Sequence, residues 1–178
     1  MKNSIKIIIL TYLISTSLLF SHSYKKKTLS SHEHGVGILN IAQEGNTLIF
    51  EFEIPGFDIV GFEYQAKEEE DIKKVKKALN ILSNYRNMIS PSGSAECTID
   101  SSSAKVINEG KHSEFMSNYK FNCKNIENLK IIYINYFKNF ENSKKLNIKI
   151  FGSNKKNAYV INNSKRILNV KGHFNNNN

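Results

Sequence analysis

The chain has 178 residues, with 25 lysines and arginines against 16 aspartates and glutamates, and a formal net charge of +9. Its lysines are spread among asparagines and isoleucines. They form neither an arginine-rich cluster nor a recognition helix, which argues against a nucleic-acid partner. The length is enough for one domain with a hydrophobic core and too short for two.

The N-terminus has the pattern of a secretory signal. Lys2 and an apolar run at residues 7–20 are followed by small or polar residues at 21–23. That run is shorter than the roughly 20 apolar residues that a membrane-spanning helix requires. A cleaved signal over residues 1–23 is therefore favoured over an uncleaved anchor, and residues 24–174 form the predicted exported domain.

The first element predicted after the signal is a β-hairpin. Apolar and polar residues alternate along two segments that are joined by a turn at residues 44–46, which is typical of strands with one buried face. The predicted buried face comprises Leu39, Ile41, Leu48, Phe50, Phe52 and Ile54. Pro55 ends the second strand because proline lacks the amide hydrogen that a ladder needs, and a loop is predicted at residues 57–64.

Residues 66–89 are predicted as the single amphipathic helix of the domain. Apolar side chains recur there at helical spacing. The acidic residues 68–71 precede lysines at 73–77, which suits the helix macrodipole and allows ion pairs between residues four apart. The acidic run is therefore interpreted as helix surface and not as a metal site.

Beyond Pro91 the chain returns to short apolar segments separated by asparagine, serine and glycine. These segments are residues 95–99, 106–107, 115–123, 129–137, 146–151, 158–161 and 166–170. The pattern predicts a mostly β domain of the α+β class, an antiparallel β-sandwich-like arrangement with the one helix against it. The asparagines at 175–178 have nothing apolar to bury and are predicted to be a disordered tail.

Cys97 and Cys123 are the only two cysteines in the chain. In an oxidising compartment two lone cysteines most simply form a disulfide. Closing this loop of about 25 residues would stabilise the fold by roughly 3–4 kcal/mol. Metal ligation by the two thiolates is the alternative, although their spacing matches no zinc motif.

The candidate metal ligands are histidines and glutamates. His32 and His34 are separated by one residue, and in an extended backbone such residues point to the same face, so both imidazoles can converge on one ion. Zinc is the first choice for such a site. His112 is the only histidine within the predicted strands. Glu63 and Glu114 stand near plausible ligand positions.

Other functions stay open on the residues alone. The histidine pair is also compatible with an ordinary solvated surface, and the domain with a β-sandwich interaction module of the cell envelope. Copper(II) would use the same imidazoles, since it outranks zinc at most nitrogen sites. The sequence contains no Gly-x-Ser-x-Gly elbow and no phosphate-binding glycine loop, so we expect no catalytic activity.

Several motifs together carry a resemblance to a known family. Residues 32–42 hold the histidine pair and the first strand, and residues 54–63 hold the Pro-Gly-Phe-Asp turn and Glu63. Further motifs follow at residues 97–98, 112–115, 119–123 and 137–141. In this order the motifs resemble the ZrgA family of exported zinc-binding proteins of Gram-negative bacteria, over nearly the whole predicted mature chain.

The resemblance implies a periplasmic protein that binds zinc and assists its uptake beside a zinc importer of the inner membrane. It implies His32, His34 and His112 as zinc ligands, with Glu63 as a weaker fourth. No catalysed reaction is implied.

The chain departs from the family pattern at two points. Tyr64 stands where many relatives have a histidine, so any ligand role at that position is lost or passes to Glu63. Residues 101–105 stand where many relatives carry a long histidine-rich insertion. One principal zinc site is therefore expected.

Overall fold

The computed structural model describes residues 33–175, which form nine β-strands in two sheets, two α-helices and four short 3-10 turns. The strands are β1 (Val36–Glu44), β2 (Thr47–Pro55), β3 (Ile89–Pro91), β4 (Cys97–Glu109), β5 (His112–Cys123), β6 (Ile131–Ile134), β7 (Lys145–Phe151), β8 (Lys156–Asn162) and β9 (Ile167–Asn169). The helices are α1 (Gly56–Val60) and α2 (Glu69–Ser83). The predicted signal at 1–23, His32 and residues 176–178 lie outside the described residues.

The larger sheet has the strand order β4-β5-β2-β1-β7-β8, and the smaller has the order β3-β6-β9. The predicted class is thus confirmed as mostly β with one main helix. The antiparallel expectation is wrong at one pair, because β1 and β7 run parallel. Alternation with period two is the same in both arrangements, and the long connection between these two strands allows the crossover that parallel pairing needs.

The predicted hairpin is confirmed. β1 and β2 pair in antiparallel fashion around Gly45, which has a φ of +58°. The alternating apolar residues of both strands, Leu39, Ile41, Leu48, Phe50, Phe52 and Ile54, are fully buried. The hairpin therefore lies at the centre of the larger sheet and contributes one continuous apolar face.

The main helix is shorter than predicted, since it spans Glu69–Ser83 in place of residues 66–89. The chain leaves the helix at Asn84, which has an extended backbone, and the Asn84 side chain accepts a hydrogen bond from the Arg86 backbone. Residues up to 89 then enter a 3-10 turn and the first residue of β3. The helical spacing of apolar residues continues past Ser83 because the later apolar residues pack in the core from the 3-10 turn and from β3. The loop predicted at 57–64 contains the short helix α1.

The core lies on one face of the larger sheet. Phe52 contacts the rings of Tyr119 and Tyr136, with ring centroids 6.0 Å apart in both pairs. Helix α2 adds Leu82, whose carbonyl oxygen accepts a hydrogen bond from the Tyr119 hydroxyl. Residues of the smaller sheet, among them Ile132, belong to the same buried cluster. Burial raises the pKa of both tyrosines, so they stay neutral.

A disulfide in the middle of the chain and hydrogen bonds at its C-terminal end stabilise the domain. The disulfide between Cys97 and Cys123 is confirmed, and it joins two residues that lie opposite each other on β4 and β5. Asn175, predicted to begin a disordered tail, donates its backbone N–H to the Ser153 hydroxyl at 3.1 Å, and its carbonyl accepts from Gln43. Among residues 33–175, no helix is long and apolar enough to span a membrane.

Candidate functional site

The strand order brings three separate parts of the chain to one edge of the larger sheet. β1 and β5 flank β2 and both run antiparallel to it, so their first residues lie beside the end of β2. His34 comes two residues before β1, and His112 is the first residue of β5. Neighbouring strands are about 4.8 Å apart, which leaves about 10 Å between β1 and β5. The chain that leaves β2 through α1 carries Glu63 into this gap.

The Glu63 carboxylate connects the two histidines. Its Oε1 lies 3.0 Å from Nε2 of His34, and its Oε2 lies 2.9 Å from Nδ1 of His112. The Glu63 side chain is 18 % exposed, whereas those of His34 and His112 are 54 % and 62 % exposed. The site is therefore a shallow surface cluster with a largely covered carboxylate at its centre.

His34 is held by a turn that is fixed from two directions. Gly35 has a φ of +85°, and the Val36 N–H donates to the Glu33 carbonyl at 3.1 Å. The Gly35 carbonyl accepts two hydrogen bonds from the backbone at the start of β7, at 2.9 and 2.8 Å. The imidazole of His34 stacks on the Phe57 ring of α1, with centroids 4.6 Å apart. The backbone and the ring of His34 thus have separate supports.

Asp58 is a buried carboxylate beside the site, and the sequence analysis did not select it. It is 1 % exposed, and its Oδ1 accepts a hydrogen bond from the Gly35 N–H at 2.7 Å. Its Oδ2 has no hydrogen-bond partner among the described residues. Burial raises the pKa of Asp58, while the Gly35 hydrogen bond and the field of His34 act in the opposite direction. Asp58 therefore links α1 to the turn that carries His34.

Glu63 is positioned by its two aromatic neighbours in the chain. The rings of Phe62 and Tyr64 stack with centroids 4.6 Å apart. The Tyr64 hydroxyl donates to Asp71 of α2 at 2.7 Å, and Lys74 donates to the same carboxylate at 3.0 Å. Both hydrogen bonds lower the pKa of Asp71. Tyr64 thus fastens the Glu63 segment to α2 and does not join the two histidines.

Close packing at Gly56 also sets the position of Glu63. A Cβ atom at Gly56 would lie 2.8 Å from the Phe62 carbonyl oxygen and would collide with the Ser113 hydroxyl. We expect Gly56→Ala to lower the free energy of unfolding by about 1–3 kcal/mol, because the segment from Phe62 to Glu63 must move. Urea unfolding measures this loss. The matched control is Gly93→Ala, whose Cβ would meet nothing within 4 Å. An equal loss in both variants would contradict the packing argument.

The other candidate residues lie elsewhere. His32 is outside the described residues. Glu114 is 2 % exposed and pairs in register with Pro55, outside the bridge that Glu63 forms. His173 is buried, and its Nε2 lies 3.0 Å from the Tyr159 hydroxyl. The structure thus brings together three of the four predicted ligands, and their binding of a metal stays a prediction.

The donor set fits zinc in chemistry, although its present spacing is that of hydrogen bonds. Within residues 33–175, no three histidine, cysteine, aspartate or glutamate side chains are already arranged to hold a metal ion. Ligand atoms about 2.0–2.2 Å from a tetrahedral zinc ion are about 3.4 Å from one another. For one ion to bind all three side chains, the two imidazole nitrogens must also lie about 3.4 Å from each other, whereas each now bonds to a different oxygen of Glu63. Binding of one ion therefore requires both imidazoles to rotate, and both side chains are more than half exposed.

Comparison with known protein families gives a match over most of the chain. A family model described as ZrgA family zinc uptake protein matches residues 31–170, more than three quarters of the chain. The matched region includes His32, His34, Glu63 and His112. No curated protein matches the sequence.

Proposed function

The chain belongs to the ZrgA family of zinc uptake proteins, and on that premise we propose that it captures zinc in the periplasm and passes it to an importer of the inner membrane. The observation that supports capture most directly is the Glu63 carboxylate lying between His34 and His112. Zinc is the cargo in this proposal, and no reaction is catalysed.

The proposed ligands are His34, His112, Glu63 and His32. Two imidazole nitrogens and a carboxylate oxygen are a usual donor set for zinc, and His32 is the proposed fourth ligand. More than half of the surface of the His34 and His112 side chains is exposed. An acceptor protein can therefore reach these ligands, which suits a site that releases its ion.

The proposed location follows from the N-terminus and the cysteines. A cleaved signal at residues 1–23 would deliver the domain, residues 24–174, to the periplasm. The disulfide between Cys97 and Cys123 suits such an oxidising compartment. The two sheets then act as a β-sandwich-like framework that holds the ligands, and an inner-membrane importer is the proposed recipient.

The central test is a zinc competition titration of untagged residues 24–178 after metal has been stripped. We expect one zinc ion bound well below micromolar Kd, and at least a hundredfold weaker binding after His32→Ala, His34→Ala and His112→Ala are combined. Loss of a ligand set of this kind removes several kcal/mol of binding free energy. No binding, or equal binding by both proteins, would favour an interaction module with incidental histidines.

Glu63 is tested by a matched pair of glutamate substitutions. Glu63→Gln should weaken zinc binding at least tenfold, because it removes a charged oxygen ligand at the centre of the cluster. Glu33→Gln should leave the zinc affinity within about threefold, because the Glu33 side chain is exposed and its Oε2 lies 3.9 Å from Nζ of Lys145. Equal effects of the two substitutions would exclude Glu63 as a ligand.

The pH dependence of binding is a further expectation. Zinc ligation needs neutral imidazole, so protons compete with the ion below the ordinary imidazole pKa of about 6.5. We expect the apparent affinity to fall by at least tenfold between about pH 7.5 and 5.5. An affinity that stays flat over this range would argue against histidine ligation. Copper(II), the alternative cargo for the same imidazoles, is compared in the same titration.

A further inference from the structure

The second face of the larger sheet, here called the outer face, consists of the side chains that alternate with the core residues. On β1 and β2 these side chains are half-buried or exposed, and on β8 they are all exposed. Phe151 on β7 is 45 % exposed and Val160 on β8 is 63 % exposed. Large apolar side chains that are exposed among polar neighbours on one sheet face can mark an interaction surface.

The registers of five strands fix the layout of the outer face in three rows. The first row contains Met116, Glu53, Ile38, Asn147 and Val160 in the strand order β5-β2-β1-β7-β8. The second row contains Asn118, Glu51, Asn40, Lys149 and Ala158. The third row contains Lys120, Ile49, Ala42, Phe151 and Lys156. β1 forms the midline of this layout and carries no charge in the three rows.

The two strands that flank the midline carry charges of opposite sign, and Lys120 on β5 is the exception farther out on the side of β2. β2 contributes Glu51 and Glu53, whereas β7 and β8 contribute Lys149 and Lys156. This asymmetry extends to the sequence, where residues 142–178 contain eight lysines and arginines and no acidic residue. An acidic strand and a basic strand on either side of an uncharged midline are complementary to the same two strands of a second copy.

We propose that the outer face binds a second copy of this chain about a two-fold axis that runs along β1. This rotation leaves the position of each residue along the strand direction unchanged. It exchanges the side of the sheet that holds β2 and β5 with the side that holds β7 and β8. β2 then faces β7 of the other copy, and β5 faces its β8. Interfaces of this type place the same patch of both subunits in contact. Two stacked sheets with nearly aligned strands are a common packing arrangement at about 10 Å separation.

Each of the three rows contains one favourable pair under this rotation. In the second row Glu51 faces the partner's Lys149. In the third row Ile49 faces the partner's Phe151, and in the first row Met116 faces the partner's Val160. Ile38 lies on the axis. The one unfavourable pair, Lys120 and the partner's Lys156, lies at the solvated rim, where a like-charge contact costs little.

The size of the face sets the expected strength of the dimer. Five strands at about 4.8 Å and seven residues at about 3.3 Å cover roughly 24 by 23 Å, which is roughly 550 Å² on each copy. A buried total of roughly 1,100 Å² lies at the low end of specific interfaces. We therefore expect a reversible dimer with a Kd of about 1–100 μM. Both metal sites would lie at the same end of the dimer, and the dimer does not depend on zinc.

The test is sedimentation equilibrium of the untagged protein used for the zinc titration. Glu51→Lys and Lys149→Glu should each weaken dimer formation at least tenfold, because each creates a like-charge pair across the axis. The double variant, with the two charges exchanged, should regain the wild-type Kd within about threefold. Circular dichroism confirms that the variants fold, which is expected since both side chains are exposed.

Each outcome decides the proposal. A protein that stays monomeric up to about 1 mM overturns it, and so does a dimer that neither single charge reversal weakens. A monomer that binds vesicles of anionic phospholipid through Lys149 assigns the face to a membrane and also overturns it. Because zinc binding is measured separately, failure of the dimer leaves the zinc proposal intact.

Discussion

Replacement of Phe52 with alanine is expected to lower the free energy of unfolding by about 3–5 kcal/mol, the range found when a buried aromatic side chain is truncated. Phe52 is fully buried in the middle of β2, which is itself flanked by β1 and β5. Its ring contacts both Tyr119 and Tyr136, so the cavity would lie where the helix, the larger sheet and the segment after β6 meet. Rigid neighbours on all sides limit how far this cavity can collapse.

Urea unfolding followed by circular dichroism measures this loss. The matched control is Tyr133→Ala, which removes an aromatic ring of similar size from a position that is 45 % exposed. The control should lose less than about 1 kcal/mol. Phe52→Leu, which keeps most of the volume, should lose less than Phe52→Ala. A similar loss at Phe52 and Tyr133 would contradict the position assigned to the core.

Removal of the disulfide by the paired substitutions Cys97→Ser and Cys123→Ser is expected to cost about 3.5 kcal/mol. The two cysteines are 26 residues apart, and in the chain-entropy model closing a loop of this length stabilises the native state by that amount. β4 is an edge strand with mostly exposed side chains, so its first residues pair with β5 on one side only. Hydrogen exchange should therefore rise first in β4.

Zinc affinity should respond differently from stability in this variant. The disulfide joins the start of β4 to the end of β5, whereas His112 lies at the opposite end of β5. We expect the zinc Kd to stay within about threefold while the folded protein persists. Adding a thiol reductant should destabilise the wild-type protein and leave the variant unchanged. An unchanged unfolding midpoint in the variant would show that the crosslink contributes nothing.

The elements that the sequence predicted well are those whose signal is local. The alternation from Leu39 to Ile54 defines two strands and their buried face without reference to the rest of the chain, and the structure has both. The Cys97 to Cys123 pairing was predicted from compartment and number. The helical period of apolar residues predicted the helix but not its end. Tyr85 and Ile89 continue the apolar pattern because they pack in the core from the 3-10 turn and from β3.

The features that the sequence could not supply depend on residues far apart in the chain. The parallel pairing of β1 with β7 cannot be predicted from the alternation of apolar and polar residues in these strands, because antiparallel strands alternate in the same way. Asp58 follows a Pro-Gly-Phe turn and looks like a surface residue, and only the folded chain shows it buried against Gly35. The family resemblance implied Glu63 as a ligand beside His34 and His112, but their approach depends on strand directions that the sequence does not encode locally.

Because β1 pairs with β7, a strand late in the chain, the site can form only after that strand has been added to the sheet. The turn that carries His34 is held by the backbone amides of Lys144 and Lys145, whereas the other two candidate ligands occur by residue 112. Contacts between such distant residues raise the contact order and slow folding. A chain that ends after β5 would contain His34, Glu63 and His112 without the amides that hold the turn. The candidate site is therefore a property of the complete fold, and a truncated or still-folding chain would lack the support that holds His34 in place.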